Sequence, residues 1–140
     1  MEITGRLGGS QVLDQEISSD LELVEMLRDG LPISAVDAIV RGGTLTPREV
    51  ESLVIPRRTL AHRRQKQQRL SPEESDRLAR IARISALAEE TFQNPEKAAR
   101  WLRKPNRALG GAVPLELLTT GEGARLVEET LGQIAHGIFT

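Results

Sequence analysis

The chain has no cysteine, no tyrosine, one tryptophan, two phenylalanines and two histidines. Without cysteine there is no disulfide, no thiolate nucleophile and no Cys-based zinc or iron–sulfur site, which fits a reducing compartment. His62 and His136 lie in distant segments, so a metal site would have to be built from carboxylates; no metal and no cofactor is expected. Nowhere do about 18 apolar residues run together to span a bilayer. Met1 to Ser10 has one arginine and no apolar core, unlike a secretory signal; the expectation is a cytoplasmic protein with no membrane role. None of the lysines, Lys66, Lys97 and Lys104, follows a glycine, so there is no P-loop, and there is no Gly-x-Ser-x-Gly elbow. Gly121-Glu122-Gly123 has Leu126 where a dinucleotide fingerprint needs its third glycine, and it reads as a turn before a helix. Glu89–Glu90 and Glu128–Glu129 are adjacent acids that a helix points about 100° apart, so they read as solvated faces. No enzyme is expected. Neither sign of charge dominates: nineteen Lys and Arg face twenty Asp and Glu among 140 residues, of which 39% are hydrophobic and 28% charged, the composition of a globular chain.

What is present reads as helices with firm punctuation. Leu21, Val24, Leu27 and Leu31 recur every three to four residues after Asp20, an N-cap type, and Gly30 is a stop signal. Ile33, Val36, Ile39 and Val40 keep the period from Pro32 until Gly42-Gly43. Thr46-Pro47-Arg48-Glu49 is a capping box with proline at the first helical position, and Val50, Leu53 and Val54 follow on one face. Pro56 ends that helix near Ile55, since it disfavours helical geometry in the residue before it, and is placed to open the next. Ser71-Pro72-Glu73-Glu74 repeats the capping box and launches a long helix from Pro72 to about Gln93. Asn94-Pro95 caps a short helix, and Gly121 to Ala135 carries Ala124, Val127, Leu131 and Ile134 on one stripe. No strand-like alternation persists, so the fold is predicted to be all-α. On the long helix, Leu78, Ile81, Ala82, Ile84, Ala86, Leu87, Ala88 and Phe92 cover more than one face. That predicts a helix joining two halves of the molecule and packing against both, with dimerisation as the rival cause.

Charge is unevenly distributed. Seven acids and two arginines lie between Glu2 and Asp29, whereas Arg57, Arg58, Arg63, Arg64, Lys66 and Arg69 fall within thirteen residues that contain no acid. The helix from Pro56 has only Leu60, helped by Ala61, as an apolar anchor and so leaves a broad cationic face. Coming after the capped helix and a tight turn, it gives helix-turn-helix order. The DNA-binding reading puts Arg57, Arg58 and Thr59 near base edges, with Arg63, Arg64 and Lys66 serving phosphates and His62 among the DNA-binding residues. The competing reading is a solvated helix; the turn lacks the glycine common in such motifs. Phe92, Trp101 and Phe139 do not interleave with the basic run, which argues against single-stranded nucleic acid or RNA.

Several stretches carry a resemblance. The first set is Thr46-Pro47-Arg48-Glu49-Val50, Ile55-Pro56-Arg57-Arg58-Thr59-Leu60 and Leu70 to Leu78. The second is Ala88-Glu89-Glu90-Thr91-Phe92, Ala98-Ala99-Arg100-Trp101-Leu102, Pro105-Asn106, Leu109-Gly110-Gly111, Pro114 to Leu118, Gly121 to Gly123, and Ile134-Ala135-His136-Gly137. Together, from Leu31 onward, they resemble the antitoxins of the Xre/MbcA/ParS family, with Gln93 standing where a glycine often follows the Phe. The resemblance implies an all-α protein, an N-terminal Xre-like helix-turn-helix half joined by a long helix to a small helical toxin-binding half. It further implies a homodimer that holds a RES-domain toxin inactive, the toxin working on nicotinamide adenine dinucleotide (NAD), and that binds operator double-stranded DNA to repress its own operon. The corresponding divisions are an N-terminal arm over 1–19, which shows no family signal, a DNA-binding domain over 20–70, a connecting helix over 71–93 and a toxin-binding domain over 94–140. Toxin contacts are expected at Trp101, Asn106, Leu109, Gly110, Gly111, His136, Gly137, Ile138, Phe139 and Thr140.

Without the family, Trp101 and Leu102 read as core side chains, Leu109-Gly110-Gly111 as a turn needing glycine torsions, and Gly137 as a helix-ending glycine behind His136. Ile138 and Phe139 are apolar beyond that stop. Either they pack on Leu131 and Ile134, or with the carboxylate of Thr140 they plug the toxin's cleft. The alternative function is a stand-alone helix-turn-helix transcriptional regulator with a C-terminal dimerisation domain.

Overall fold

Side chains that cap exposed backbone N–H groups set most of the helix starts. In the computed structural model, which describes residues 2–13 and 17–137 and only the backbone of Glu2, ten α-helices appear among the described residues. They are α1 (Glu2–Arg6), α2 (Gly9–Leu13), α3 (Asp20–Asp29), α4 (Ser34–Arg41), α5 (Pro47–Leu53), α6 (Arg57–Gln65), α7 (Pro72–Phe92), α8 (Pro95–Leu102), α9 (Pro114–Leu117) and α10 (Gly121–Ala135), with a 3₁₀ turn at Arg107–Leu109. No strand occurs among the described residues; the only β-type pairing is an isolated bridge between Asn106 and Ala112. No helix there is long and apolar enough to cross a membrane.

Both predicted capping boxes form. Thr46 Oγ1 accepts from Glu49 N–H at 3.1 Å while Glu49 Oε1 accepts from Thr46 N–H at 3.0 Å. Ser71 and Glu74 repeat the exchange at 3.1 and 2.7 Å. Asn94 Oδ1 accepts from the N–H groups of Glu96 and Lys97, fixing the start of α8. Each such cap satisfies donors that a helix start leaves unpaired and is worth roughly 1 kcal/mol. The start of α3 is set one residue earlier than expected: Ser19 Oγ, not Asp20, accepts from Glu22 N–H.

The chain divides into two compact units, residues 1–82 and 83–140, and the division falls inside α7. In the first unit Leu31, Ile39, Leu45, Ile55, Leu78 and Ile81 are fully buried. The loop after α3 is tied to the entry of α7: Leu70 N–H donates to Leu31 O at 2.9 Å, and Leu31 N–H to the buried Ser75 Oγ at 2.8 Å. In the second unit Ile84, Ala88, Leu102, Leu118, Val127 and Leu131 are buried. Here α9 and α10 approach so closely that a Cβ on Gly123 would lie 1.9 Å from Leu117 O, so only glycine fits. The buried residues of α7 fall on both sides of the division, Leu78, Ile81 and Ala82 before it and Ile84 and Ala88 after it.

Two expectations are corrected. The described residues of the arm expected over 1–19 are not bare: α1 and α2 form, Leu7 and Leu13 are buried, α2 packs on α4, and Arg6 Nη1 donates to Thr44 Oγ1 at 2.9 Å. Gly5, Gly8 and Gly9 interrupt the hydrophobic period there, which hides two five-residue helices from sequence reading. The stripe expected to bury α3 is also partly wrong. Leu21 is 67% and Val24 40% exposed, and Met26 is the residue α3 buries.

Candidate nucleic-acid and partner-protein interfaces

In the first unit, α5, the turn Val54-Ile55-Pro56 and α6 make the helix-turn-helix. Its turn contains no residue with positive φ, so the glycine common in such turns is not needed. The turn is clamped from α7 instead: Arg77 donates Nε and Nη2 to Val54 O at 3.1 and 2.8 Å. A carbonyl that the end of α5 would leave unpaired thus receives two charge-assisted bonds.

The basic helix α6 buries no residue completely, so ion pairs do much of its docking. Arg63 Nη2 donates to Glu74 Oε2 at 3.3 Å, its Nε lies 3.1 Å from Oε1, and its Nη1 donates to Arg69 O. Glu74 is buried in the same capping box that starts α7. Arg64 pairs with Asp37 of α4 through two bonds, at 2.6 and 3.1 Å. Hydrogen bonding to Asp37, opposed only in part by desolvation, raises the Arg64 guanidinium further above its already high range, so it stays charged. Arg69 Nη1 donates to Gly30 O at 2.9 Å.

Of the six cations in the acid-free run, three are thus engaged within the fold. Arg57, Arg58 and Lys66, together with His62, are exposed, and their side chains make no hydrogen bond or ion pair among the described residues; Thr59 is half-buried at the same helix start. Two cations that sequence reasoning passed over join them. Arg41 and Arg48 are exposed and, with Arg57, help line a groove of about 630 Å³ walled by α4, α5 and α6. Arg48 stood in plain view inside the first capping box. Its position at the start of α5 is where a helix-turn-helix runs its first helix across the phosphate backbone.

The second unit holds a different cavity. Phe92 at the end of α7 and Trp101 of α8 meet with ring centroids 5.7 Å apart, planes inclined at 49°. The Lys97 ammonium sits 5.5 Å from the centre of the Phe92 ring, within cation–π range. These residues, with Thr91, Asn106, Arg107, Ala108, Thr130 and Ile134, line a groove of about 720 Å³. Trp101, expected in the core, is half-buried because one side of its ring faces this groove. Asn106 lines the groove and builds the loop beside it. Its Oδ1 accepts from Ala108 N–H at 2.9 Å, and its carbonyl accepts from Leu109 and Gly111 N–H groups at 3.0 and 2.8 Å. Gly110 and Gly111 have φ of 68° and 87°, closing the loop in conformations that side chains avoid. Leu109 is half-buried on it. His136 and Gly137 follow Ile134 at the end of α10, both exposed, with Gly137 at φ 75°. Ile138, Phe139 and Thr140 lie outside the described residues.

A helix-turn-helix unit is thus followed along the chain by a second, all-helical unit. Residues 22–83 match the antitoxin Xre-like helix-turn-helix domain, and residues 87–137 match the antitoxin Xre/MbcA/ParS C-terminal toxin-binding domain. The chain is similar to Antitoxin Xre of Pseudomonas putida, 43% identical over 122 residues that cover 87% of this chain and 76% of the relative. Antitoxin Xre of Yersinia enterocolitica is 33% identical over 84% and 81% of the two chains, and the Prs ADP-ribosylating antitoxin of Sphingobium is 38% identical over 51% of each. The chain belongs to the Xre/MbcA/ParS antitoxin family.

Proposed function

We propose that the chain is a type II antitoxin that binds and inhibits a RES-domain toxin directed at NAD, and that as a homodimer it binds operator DNA to regulate its own operon. The observation that carries the DNA half is the division of labour on α6: Arg63 and Arg64 hold the helix, while Arg57, Arg58, His62 and Lys66 stay unpaired on its exposed surface. In this reading Arg57, Arg58 and Thr59 approach base edges. Arg48, His62 and Lys66 serve phosphates, and Arg63 and Arg64 act by holding α6 in position. The exposed Leu21 and Val24 of α3 offer the first unit an apolar face for a second copy.

The toxin half of the proposal rests on the matched toxin-binding domain. The name of the Sphingobium relative couples antitoxin to ADP-ribosylation, a chemistry that takes ADP-ribose from NAD, and this supports an NAD-directed toxin. Trp101, Asn106, the Leu109–Gly111 loop and the segment from His136 through Ile138, Phe139 and Thr140 are the proposed contacts.

A gel-shift titration on the upstream region of the operon tests the DNA half. Three phosphate contacts from each of two copies give a log–log salt slope on the order of −5, with half-sites about 34 Å apart. Lys66→Ala should weaken binding to every sequence, and Arg57→Ala should chiefly relax discrimination. Binding that ignores salt refutes this half. A co-expression growth test addresses the other: both variants should still neutralise the toxin.

A further inference from the structure

The groove of the second unit carries information about what it binds. Between Lys97 and Arg107 the chain holds five cations, Lys97, Arg100, Arg103, Lys104 and Arg107, and no acid. Two of them, Lys97 and Arg107, line the groove, and no acid is among its described lining residues. The rest of its lining is aromatic and apolar at Phe92, Trp101, Ala108 and Ile134 and uncharged polar at Thr91, Asn106 and Thr130. The tilted contact of Phe92 with Trp101 fixes both rings, and the position of Lys97 over the Phe92 face keeps a positive charge at the same place. Tryptophan and arginine, which line the same groove here, are the residue types enriched among the anchors of protein interfaces.

We infer that this groove receives an apolar side chain of the toxin that is flanked by carboxylates, an acidic peptide segment with one aliphatic or aromatic anchor. The inference rests on the antitoxin reading above and deepens it by stating the chemistry of the partner's contact. The anchor fills the space over Phe92, Trp101 and Ile134. Its acidic neighbours meet Lys97 and Arg107, whose positive field faces no acid among the described lining residues. Every lining residue lies within the matched toxin-binding domain, which favours a polypeptide over a nucleic acid as the occupant.

Trp101 is the only tryptophan, so the full chain labelled with 5-fluorotryptophan gives one ¹⁹F resonance that reports on the groove. Adding unlabelled RES-domain toxin should shift that resonance in proportion to complex formed. The charge-reversed double variant Lys97→Glu/Arg107→Glu should bind the toxin at least tenfold more weakly at low salt. The gap should narrow toward 1 M salt, where the screening length falls to about 3 Å. Its operator binding should be unchanged, and the charge-preserving Lys97→Arg/Arg107→Lys variant should keep toxin affinity within about threefold. Should the reversed variant lose helicity, Arg107→Gln with the same ¹⁹F readout takes its place.

Wild-type toxin affinity in the reversed variant, with an unmoved Trp101 resonance, overturns the inference while leaving the antitoxin reading intact. A resonance that moves with protein concentration alone, or with operator DNA, assigns the groove to a second copy or to nucleic acid and also overturns it. If the unmodified chain binds no toxin, the antitoxin reading itself fails and the inference falls with it.

Discussion

Replacing Arg63 by alanine should damage folding rather than DNA contact. The partner it abandons, Glu74, has a side chain only 8% exposed, while that of Arg63 is 24% exposed. Exposed ion pairs are worth about 0–1 kcal/mol, whereas removing one member of a fully buried pair costs about 3–5 kcal/mol because the other charge is left desolvated. Glu74 retains the Ser71 N–H as a donor, and Arg63 is partly solvated, so an intermediate loss of about 2–3 kcal/mol is expected for Arg63→Ala. For a unit of 82 residues that lowers the melting temperature by about 10–20 °C. Arg57→Ala, at an exposed position with no partner among the described residues, should stay within about 0.5 kcal/mol of wild type. Urea denaturation followed by far-ultraviolet circular dichroism measures both. A double-mutant cycle with Glu74→Gln then separates the pair's coupling from the lost capping contact. Arg63→Ala unfolding with the wild-type midpoint, or a cycle with no coupling, would refute the assignment of Arg63 to the fold and return it to the phosphate backbone.

Further outcomes follow from the same contacts. Arg77→Met should leave Val54 O without its forked donor and cost about 1.5–3 kcal/mol; operator affinity should fall at temperatures where the protein is still folded, and an unchanged affinity would detach the clamp from α6. Gly123→Ala forces a Cβ into Leu117 O and should cost at least about 2 kcal/mol by thermal melting, whereas Gly132→Ala, where a Cβ meets nothing, should be neutral or slightly stabilising. Hydrogen bonding from Arg125 holds the Glu122 carboxyl below the usual glutamate range. Its contribution is therefore present above the ordinary glutamate pKa and lost as pH falls through the lowered folded value. An NMR titration should find a midpoint under that of an unpaired glutamate, and one at or above it contradicts the pairing.

The helix starts were legible because capping is local: Thr46 with Glu49, Ser71 with Glu74, and Asn94 each act within three residues. The helix-turn-helix order followed from those signals and from Pro56. What composition could not show was which cations of the basic run are spent inside the fold. The acids that claim Arg63 and Arg64 lie 11 and 27 residues away in sequence, so the pairing exists only after α4, α6 and α7 have packed. Trp101 misled for a related reason. A lone tryptophan among alanines and leucines reads as core, and its open side depends on Asn106 and Ile134 arriving from other elements. The glycine-interrupted helices α1 and α2 and the four-residue α9 are too short for periodicity to register.

The division between the two units falls within one continuous helix, and this restricts how such proteins can be recombined. Most multi-part regulators exchange modules at loops, where a crossover a few residues out of place is harmless. Here a crossover near Ala82 and Arg83 would join two half-helices. Each inserted or deleted residue turns everything downstream by about 100° and moves it by about 1.5 Å. Exchange of partner specificity between relatives is therefore filtered by helical register as well as by sequence. Functional chimaeras should concentrate at junctions that leave the length of α7 unchanged.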